Sequence, residues 1–447
     1  MTRNAPRPAA DAGARHAAEE RMRVERLVMS AMHKPSIGYW AAVSFFALVF
    51  GVCLLGDWAW QIYKGMGVAG IMHPVGWGVY ITNFVFWVGI AHSGTLISAI
   101  LFLFRAKFRG SFNRSAEAMT VIAVMCAGMY PLIHLGRAWY FFWLLPYPNQ
   151  RLIWTNFKSP LEWDVFAVST YLTVSVVFFY VGLIPDLAIV KRYTRGARRW
   201  IYSALSLGWV GSKEQWRNYN MLYALLAGFA TPLVLSVHSV VSWDFAMAIV
   251  PGWHSTIFAP YFVAGAIFSG CAMVMTLVIP MRKIHHLESV IPIDHFDMLA
   301  RTLLLTSLIV GYSYIVELVI SWYSGNVYEF GIFAARATGH YRIPYWTMVA
   351  CNVFIPLSLF VGKLRRNLGY LFVLSIFVNI GMWLERFVII ASSLAKEYDP
   401  YSWGNYKPSF VEVGITIGTF GFFFMMFLLF SKYLPVVAIT EKKEEVH

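Results

Sequence analysis

Tyr130, His134 and Arg137 recur at spacings of four and three, which sets them on one face if the segment is helical. Glu162 and Asp164 open a later apolar run, His238 and Asp244 close the next, and Glu317, Glu385, Arg386 and Glu412 fall inside three more. An ionised side chain at the centre of a bilayer costs about 2.5–3.5 kcal/mol on insertion scales, so each of these residues is a functional candidate by default. The chemistry open to such a set is proton exchange with an apolar partner. A phenolic hydroxyl titrates at about 10 and releases its proton at neutral pH to a base with a pKa of about 7, which histidine or a desolvated carboxylate supplies. A site that oxidises a quinol or reduces a quinone has that requirement. The competing class, an ion or solute transporter, holds its charges near the midplane, often at interrupted helices.

Each candidate also has a plainer reading. Asp164, Asp244 and Glu412 stand near span ends, where they can cap helices. Arg137 and Arg386 can serve only to neutralise those acids, and His92, in the second span, can be a core histidine bonded between helices. His238 and Asp244, six residues apart on a helix, point about 120° away from each other. His254 and His340 read as loop residues, and His285, His286 and His295 as a solvated group without metal-ligand spacing. Cys53, Cys126, Cys271 and Cys351 lie in apolar runs outside any thiolate-ligand pattern, so no metal site is expected. No span carries the paired axial histidines of a two-haem cytochrome b, which leaves a single haem between His134 and His238 as the one haem arrangement to consider.

The elements that must position these groups follow from composition. Of 447 residues 58% are apolar and 13% charged, about half the charge of a soluble domain, so water is not the main solvent. The net charge of +13 is read as membrane topology rather than as nucleic-acid binding. Ten runs are long enough to cross a hydrocarbon core of about 30 Å: 38–61, 79–104, 116–145, 164–190, 219–248, 257–281, 299–322, 344–363, 368–394 and 409–436. Lys and Arg crowd the second-to-third, fourth-to-fifth and eighth-to-ninth loops, which makes both termini cytoplasmic. Residues 1–37 then form a cytoplasmic N-terminal segment, 38–436 the membrane domain and 437–447 a cytoplasmic tail. On that topology nearly every buried charge falls in the outer half of its span, with His92 and Asp186 as the exceptions. Long outer loops at 62–78, 146–163, 323–343 and 395–408 are rich in Gly, Pro, Trp and Tyr and ask for a partner protein as cover. Gly89, Ser93 and Gly94 repeat as Gly265, Ser269 and Gly270, a parallel offset of 176 residues that suggests two four-helix bundles, about 79–248 and 257–394, with two peripheral helices.

Several blocks resemble one family. They are F-W-V-G-I-A-H-S-G-T-L-I-S-A-I-L-F-L-F-R from Phe86, N-R-S-A-E-A-M-T from Asn113, P-L-I-H-L-G-R from Pro131, L-L-P-Y-P-N-Q from Leu144, and N-F-K-S-P-L-E-W-D-V-F-A-V-S-T-Y from Asn156. The sequence resembles the NrfD/PsrC family, membrane subunits of polysulfide-reductase-like complexes, and within it the C-type subunits of the bacterial alternative complex III. The resemblance implies an all-α protein of ten spans in a bacterial inner membrane, binding menaquinol or another quinol near the periplasmic face and holding no haem or iron–sulfur centre itself. It implies a subunit of a quinol:electron-acceptor oxidoreductase, not catalytic alone. An iron–sulfur protein, haem c subunits, a second homologous membrane subunit and small membrane subunits are its implied partners. By the same resemblance His134, Asp164 and Asp244 are the catalytic set, with Tyr130, Arg137 and Arg386 as quinol-binding companions. His92, His238, Glu317 and Glu385 are candidates for a proton route. A homologous F-type subunit with a proton-conducting or structural role is the alternative within the family.

Overall fold

The computed structural model describes residues 8–33, 36–145 and 159–445. The blocks from Leu144 and Asn156 therefore lie partly outside the described residues, as does most of the 146–163 loop. Among the described residues the protein is all-α and multi-pass. Ten helices are long and apolar enough to span a membrane: α1 (Ile37–Lys64), α2 (Gly78–Leu103), α3 (Asn113–His134), α4 (Pro160–Tyr193), α5 (Lys213–Ala246), α6 (Phe258–Ile284), α7 (Ile293–Tyr323), α8 (Arg342–Phe360), α9 (Leu368–Ser392) and α10 (Phe410–Tyr433). Their even number returns the chain to one side, where the amino-terminal helix Pro8–His33 packs on the carboxy-terminal helix Ile439–Glu445. That side is the terminal face below, and its opposite the far face.

Lipid is as apolar as a leucine side chain, so these helices are held by close packing and buried hydrogen bonds rather than by the hydrophobic effect. The central helix α2, enclosed along nearly its whole length, packs on α3, α5, α6, α9 and α10. Its small residues allow that. A Cβ on Gly270 of α6 would fall 1.7 Å from Ser93 Oγ, and one on Gly94 would fall 1.9 Å from Thr120 Oγ1 of α3. The glycine–serine motif read as a repeat is thus where α2 and α6 cross. α5 packs on α6, and α9 packs on α2, while α1 and α10 pair at the periphery.

Two expectations need correction. The third span was expected to run to 145, which would keep Arg137 on a helical face with Tyr130 and His134. Instead α3 ends at His134, Gly136 turns the chain with φ +72°, and Arg137 stands beyond the helix, exposed. Gly136 takes the left-handed conformation without a Cβ clash, and that turn ends the helix just after His134. The second correction concerns sidedness. Arg114, Glu117 and Asp186 are all buried near the terminal face, in addition to the charges at the far face. Buried charge therefore collects at both ends of the first four-helix set.

Candidate functional site

His134 closes α3 at the far face, and its position is fixed through backbone rather than through its own ring. Gln61 of α1, fully buried, donates from Nε2 to the Ile133 carbonyl at 2.9 Å, and Tyr80 of α2 donates its hydroxyl to Gln61 Oε1. The Tyr80 ring meets the His134 ring edge-on, with centroids 6.3 Å apart. His134 is half-buried, and its Nδ1 is buried without a hydrogen-bond partner among the described residues.

At the same face α4 begins and α5 ends. Asp164 and Asp244, each 7% exposed, turn their carboxyls to each other at hydrogen-bonding range beside a Trp163–Trp243 edge contact. One oxygen of each, Oδ1, is buried without a partner among the described residues, as is Glu162 Oε2. Neither aspartate bonds a helix terminus among the described residues: Ser159 stands at the start of α4, and Asp244 lies inside the last turn of α5. Two carboxyls this close, away from water, can share one proton. No cation pairs with either among the described residues, and no contact joins His134 to them directly.

The other sequence candidates fall elsewhere. Tyr130 is fully buried with its hydroxyl 2.5 Å from Thr419 Oγ1, so it ties α3 to α10. Glu412 caps α10 as one half of a capping box with Ser409 and accepts from the Gly70 amide at 2.8 Å and from the Tyr406 hydroxyl at 2.6 Å. The capping reading was right for it. Arg386 lies in the interior, Nη1 2.5 Å from Glu385 Oε1 and the guanidinium 4.2 Å over Phe262.

A second polar region lies deep between the halves. His92 and His238 place their rings 4.5 Å apart, and His92 stacks on Tyr171 at 4.9 Å. His92 Nδ1 is 2.5 Å from the Val88 carbonyl, whereas His92 Nε2 and both His238 nitrogens have no partner among the described residues. In the α6–α9 half, Glu385 accepts from the Tyr314 hydroxyl, which in turn accepts from Asn352 Nδ2 at 2.8 Å. Asn352 sits in a π-helical turn of α8, and another π turn, Val388–Ser392, begins two residues after Arg386. Such turns insert an extra residue into the helical ladder and commonly mark functional positions. Glu317 of α7 lies within electrostatic range of Arg336, Glu385 and Arg386. A cavity of about 370 Å³ opens beside Glu317 at the far face, lined also by Glu329, Ser321, Ser324 and His254.

The sequence reading missed Arg336 and Glu117. Arg336 falls in the expected outer loop 323–343, yet it is buried and donates to Ser392 and Ser393 at 2.7 Å each. Burial holds its guanidinium below its ordinary value. Near the terminal face Arg114 bridges Glu117 at 2.7 Å and Asp186 at 2.9 Å, with Tyr223 donating to Glu117 and Thr440 to Asp186. Glu117 stood inside an expected span and was the detectable signal. Of the histidine group, His286 is exposed, while burial and its neighbour His286 hold His285 below the usual imidazole value. His295 Nδ1 is 2.7 Å from Ser111 Oγ, and no group of three metal-ligating side chains occurs among the described residues.

Comparison with known proteins adds the family. A protein of Halobacterium salinarum provisionally named as a membrane subunit of dimethyl sulfoxide reductase is 26% identical, over 89% of this chain and 91% of its own. A subunit of the selenate reductase of Mesobacillus selenatarsenatis is 22% identical, over 92% and 96%. The Hdr-like menaquinol oxidoreductase integral membrane subunit of Archaeoglobus fulgidus is 21% identical, over 90% and 97%. These relatives are subunits of several oxidoreductases rather than of alternative complex III in particular. The family model described as polysulphide reductase, NrfD, matches residues 67–396, well over half of the sequence. The chain belongs to the NrfD family.

Proposed function

We propose that this protein is the quinol-oxidising membrane subunit of a multi-subunit oxidoreductase, with its site at the far face among α2–α5. The observation that carries the reading is the pairing of Asp164 with Asp244, with no cation beside either among the described residues, at the same face as a His134 ring whose Nδ1 is buried and unpartnered among them. The name of the Archaeoglobus relative, a menaquinol oxidoreductase subunit, supports the substrate class. Oxidation of one quinol to quinone releases two electrons and two protons. His134 takes the proton of one hydroxyl as the general base, and the carboxyl pair takes the second and passes both outward. The electrons leave to an iron–sulfur subunit docked on the far-face loops, which makes the chain inactive alone. The finer assignment is the C-type subunit of an alternative complex III, with haem c subunits, a second NrfD-type membrane subunit and small membrane subunits beside the iron–sulfur protein. On this reading the membrane is a bacterial inner membrane, the terminal face is cytoplasmic, which the excess of basic residues in its loops supports, and the site faces the periplasm.

In the purified native complex, His134→Ala lowers quinol oxidation by about 10²-fold or more while assembly is retained. A fully assembled variant working at the wild-type rate sinks the assignment. Uptake of an ion or solute by the isolated chain, with no binding of a quinone analogue, favours the transporter class instead.

A second reading, proton translocation, is supported by the cavity that reaches Glu317 and by the buried groups His92, His238 and Glu385 behind it. In liposomes Glu317→Gln lowers the proton-to-electron ratio, and an unchanged ratio removes Glu317 from the route.

A further inference from the structure

At the terminal face the chain between α4 and α5 builds a surface of its own. α4 has 34 residues and is about 51 Å long, against about 30 Å of hydrocarbon, so it overhangs the bilayer. A short helix, Gly196–Leu205, turns back along it. Tyr180, about 20 Å before the end of α4, donates its hydroxyl to the Leu205 carbonyl at 2.9 Å, and the buried Tyr202 donates to the Tyr433 carbonyl of α10 at 2.8 Å. These bonds bring the turn that follows the short helix, residues 206–212, back toward the membrane surface.

That turn holds an apolar side chain outward at a backbone cost. Leu207 has φ +46°, in the left-handed region where any Cβ is strained, and its side chain is 67% exposed. Val210, 77% exposed, and Trp200 of the short helix, 74% exposed, extend the apolar surface. The turn is well tied: Gln215 Oε1 accepts from the Val210 and Gly211 amides at 3.0 and 2.9 Å, and Trp209 stands edge-on to Trp216 with centroids 5.0 Å apart. Strain kept in an ordered turn marks a position with a use, and a leucine held out on such a turn is stabilised only where hydrocarbon receives it.

The charge around the turn says which lipid. Seven of the residues 191–217 are basic and one, Glu214, is acidic. Lys191, with Nζ 3.5 Å from Ser206 Oγ, and Lys213 and Arg217, one turn apart at the start of α5, flank the turn. Glu214 lies 3.9 Å from Arg217 with both side chains exposed, a contact too loose to neutralise it. An acidic protein surface would satisfy the cations but leave Leu207 and Val210 against polar groups. A zwitterionic lipid would receive those two side chains but brings no net charge to the cations. We infer that this segment is a binding site for an anionic phospholipid of the terminal-face leaflet, with Leu207 and Val210 among the acyl chains and the headgroup phosphate among Lys191, Lys213 and Arg217. The site is independent of the quinol reading and shares no residue with it.

The test irradiates the native complex in nanodiscs that carry phosphatidylglycerol or phosphatidylcholine with a diazirine near the acyl ester, and identifies labelled peptides by mass spectrometry. Each basic residue near a bilayer surface is worth about fivefold in binding an anionic lipid, so label on residues 200–217 is expected to be roughly tenfold or more higher from phosphatidylglycerol. Neutralising three cations together, as Lys191→Gln, Lys213→Gln and Arg217→Gln, brings the two lipids to near equality. Leu207→Gly with Val210→Ser, which relieves the backbone and removes the apolar side chains, lowers the label from both. Four results overturn the proposal: equal labelling of the wild type by both lipids, a preference that survives the triple variant in an assembled complex, displacement of phosphatidylglycerol by inorganic phosphate, or cross-links from Lys213 to a partner subunit over an unlabelled turn.

Discussion

The two four-helix halves treat buried carboxyls in opposite ways. In α6–α9 each interior acid has a cation close by: Glu385 has Arg386, Glu317 has Arg336 within electrostatic range, and Asp297 has Arg301 and Arg365 at 2.8 and 2.9 Å. In α2–α5 the acids divide by depth. Glu117 and Asp186, near the terminal face, share Arg114, whereas Asp164 and Asp244, at the far face, face each other with no cation paired to either among the described residues. A buried charge pair is a structural solution, since removing one partner strands the other. A buried carboxyl pair without a cation must keep a proton to stay buried, and a proton kept that way is available for chemistry. On the proposed reading, what sets the far-face carboxyls apart from the other buried acids is the lack of a counter-ion among the described residues, not burial or charge alone.

The comparison breaks most directly under matched neutralisations. Asp244→Asn should lower quinol oxidation by about 10²–10⁴-fold with normal assembly, while Glu385→Gln should leave turnover per assembled complex in detergent near wild type. Equal losses in the two would erase the distinction between the halves. Arg114→Ala is expected to cost about 3–5 kcal/mol, because Glu117 and Asp186 lose their common cation, and a detergent unfolding titration reads it. A variant as stable as wild type would show that the cluster is hydrated. At the crossing the halves share, Gly270→Ala puts a methyl on Ser93 and should cost about 1–3 kcal/mol, read as a lower midpoint in the same titration.

The smallest effect concerns the terminal helices. Burial pushes Glu25 up, but its contacts with Lys443 and Tyr193 outweigh that and hold the carboxyl below 4.5. Its contribution is therefore fully present above pH 4.5 and is lost as pH falls below that value through the folded pKa, within about 1 kcal/mol for a partly covered pair between two terminal helices. Hydrogen exchange at Ile439–Glu445 should rise on acidification in wild type and be insensitive to pH in Glu25→Gln.

Hydropathy alone made the ten spans legible, because a bilayer demands apolar runs of fixed length. Side-chain type and end-of-span position made Asp164 and Asp244 legible as candidates, but not as a pair, since nothing in spacing shows that the start of α4 meets the end of α5. His134 was legible on the helix, whereas the break after it was not: the apolar, aromatic run 138–145 continues past Gly136 as if helical. Arg114 and Arg336 were hidden for one physical reason. Counting cations by loop assumes that they are solvated, and both fold back under cover. Gln61 and Tyr80, which fix the end of α3, carried no signal beyond being polar in apolar runs.

A redox-induced infrared difference spectrum of the assembled complex follows the proton itself. The account predicts a protonated-carboxyl band that changes on quinol oxidation, vanishes in Asp244→Asn and persists in Glu385→Gln. A band that survives Asp244→Asn and disappears in Glu385→Gln would contradict it.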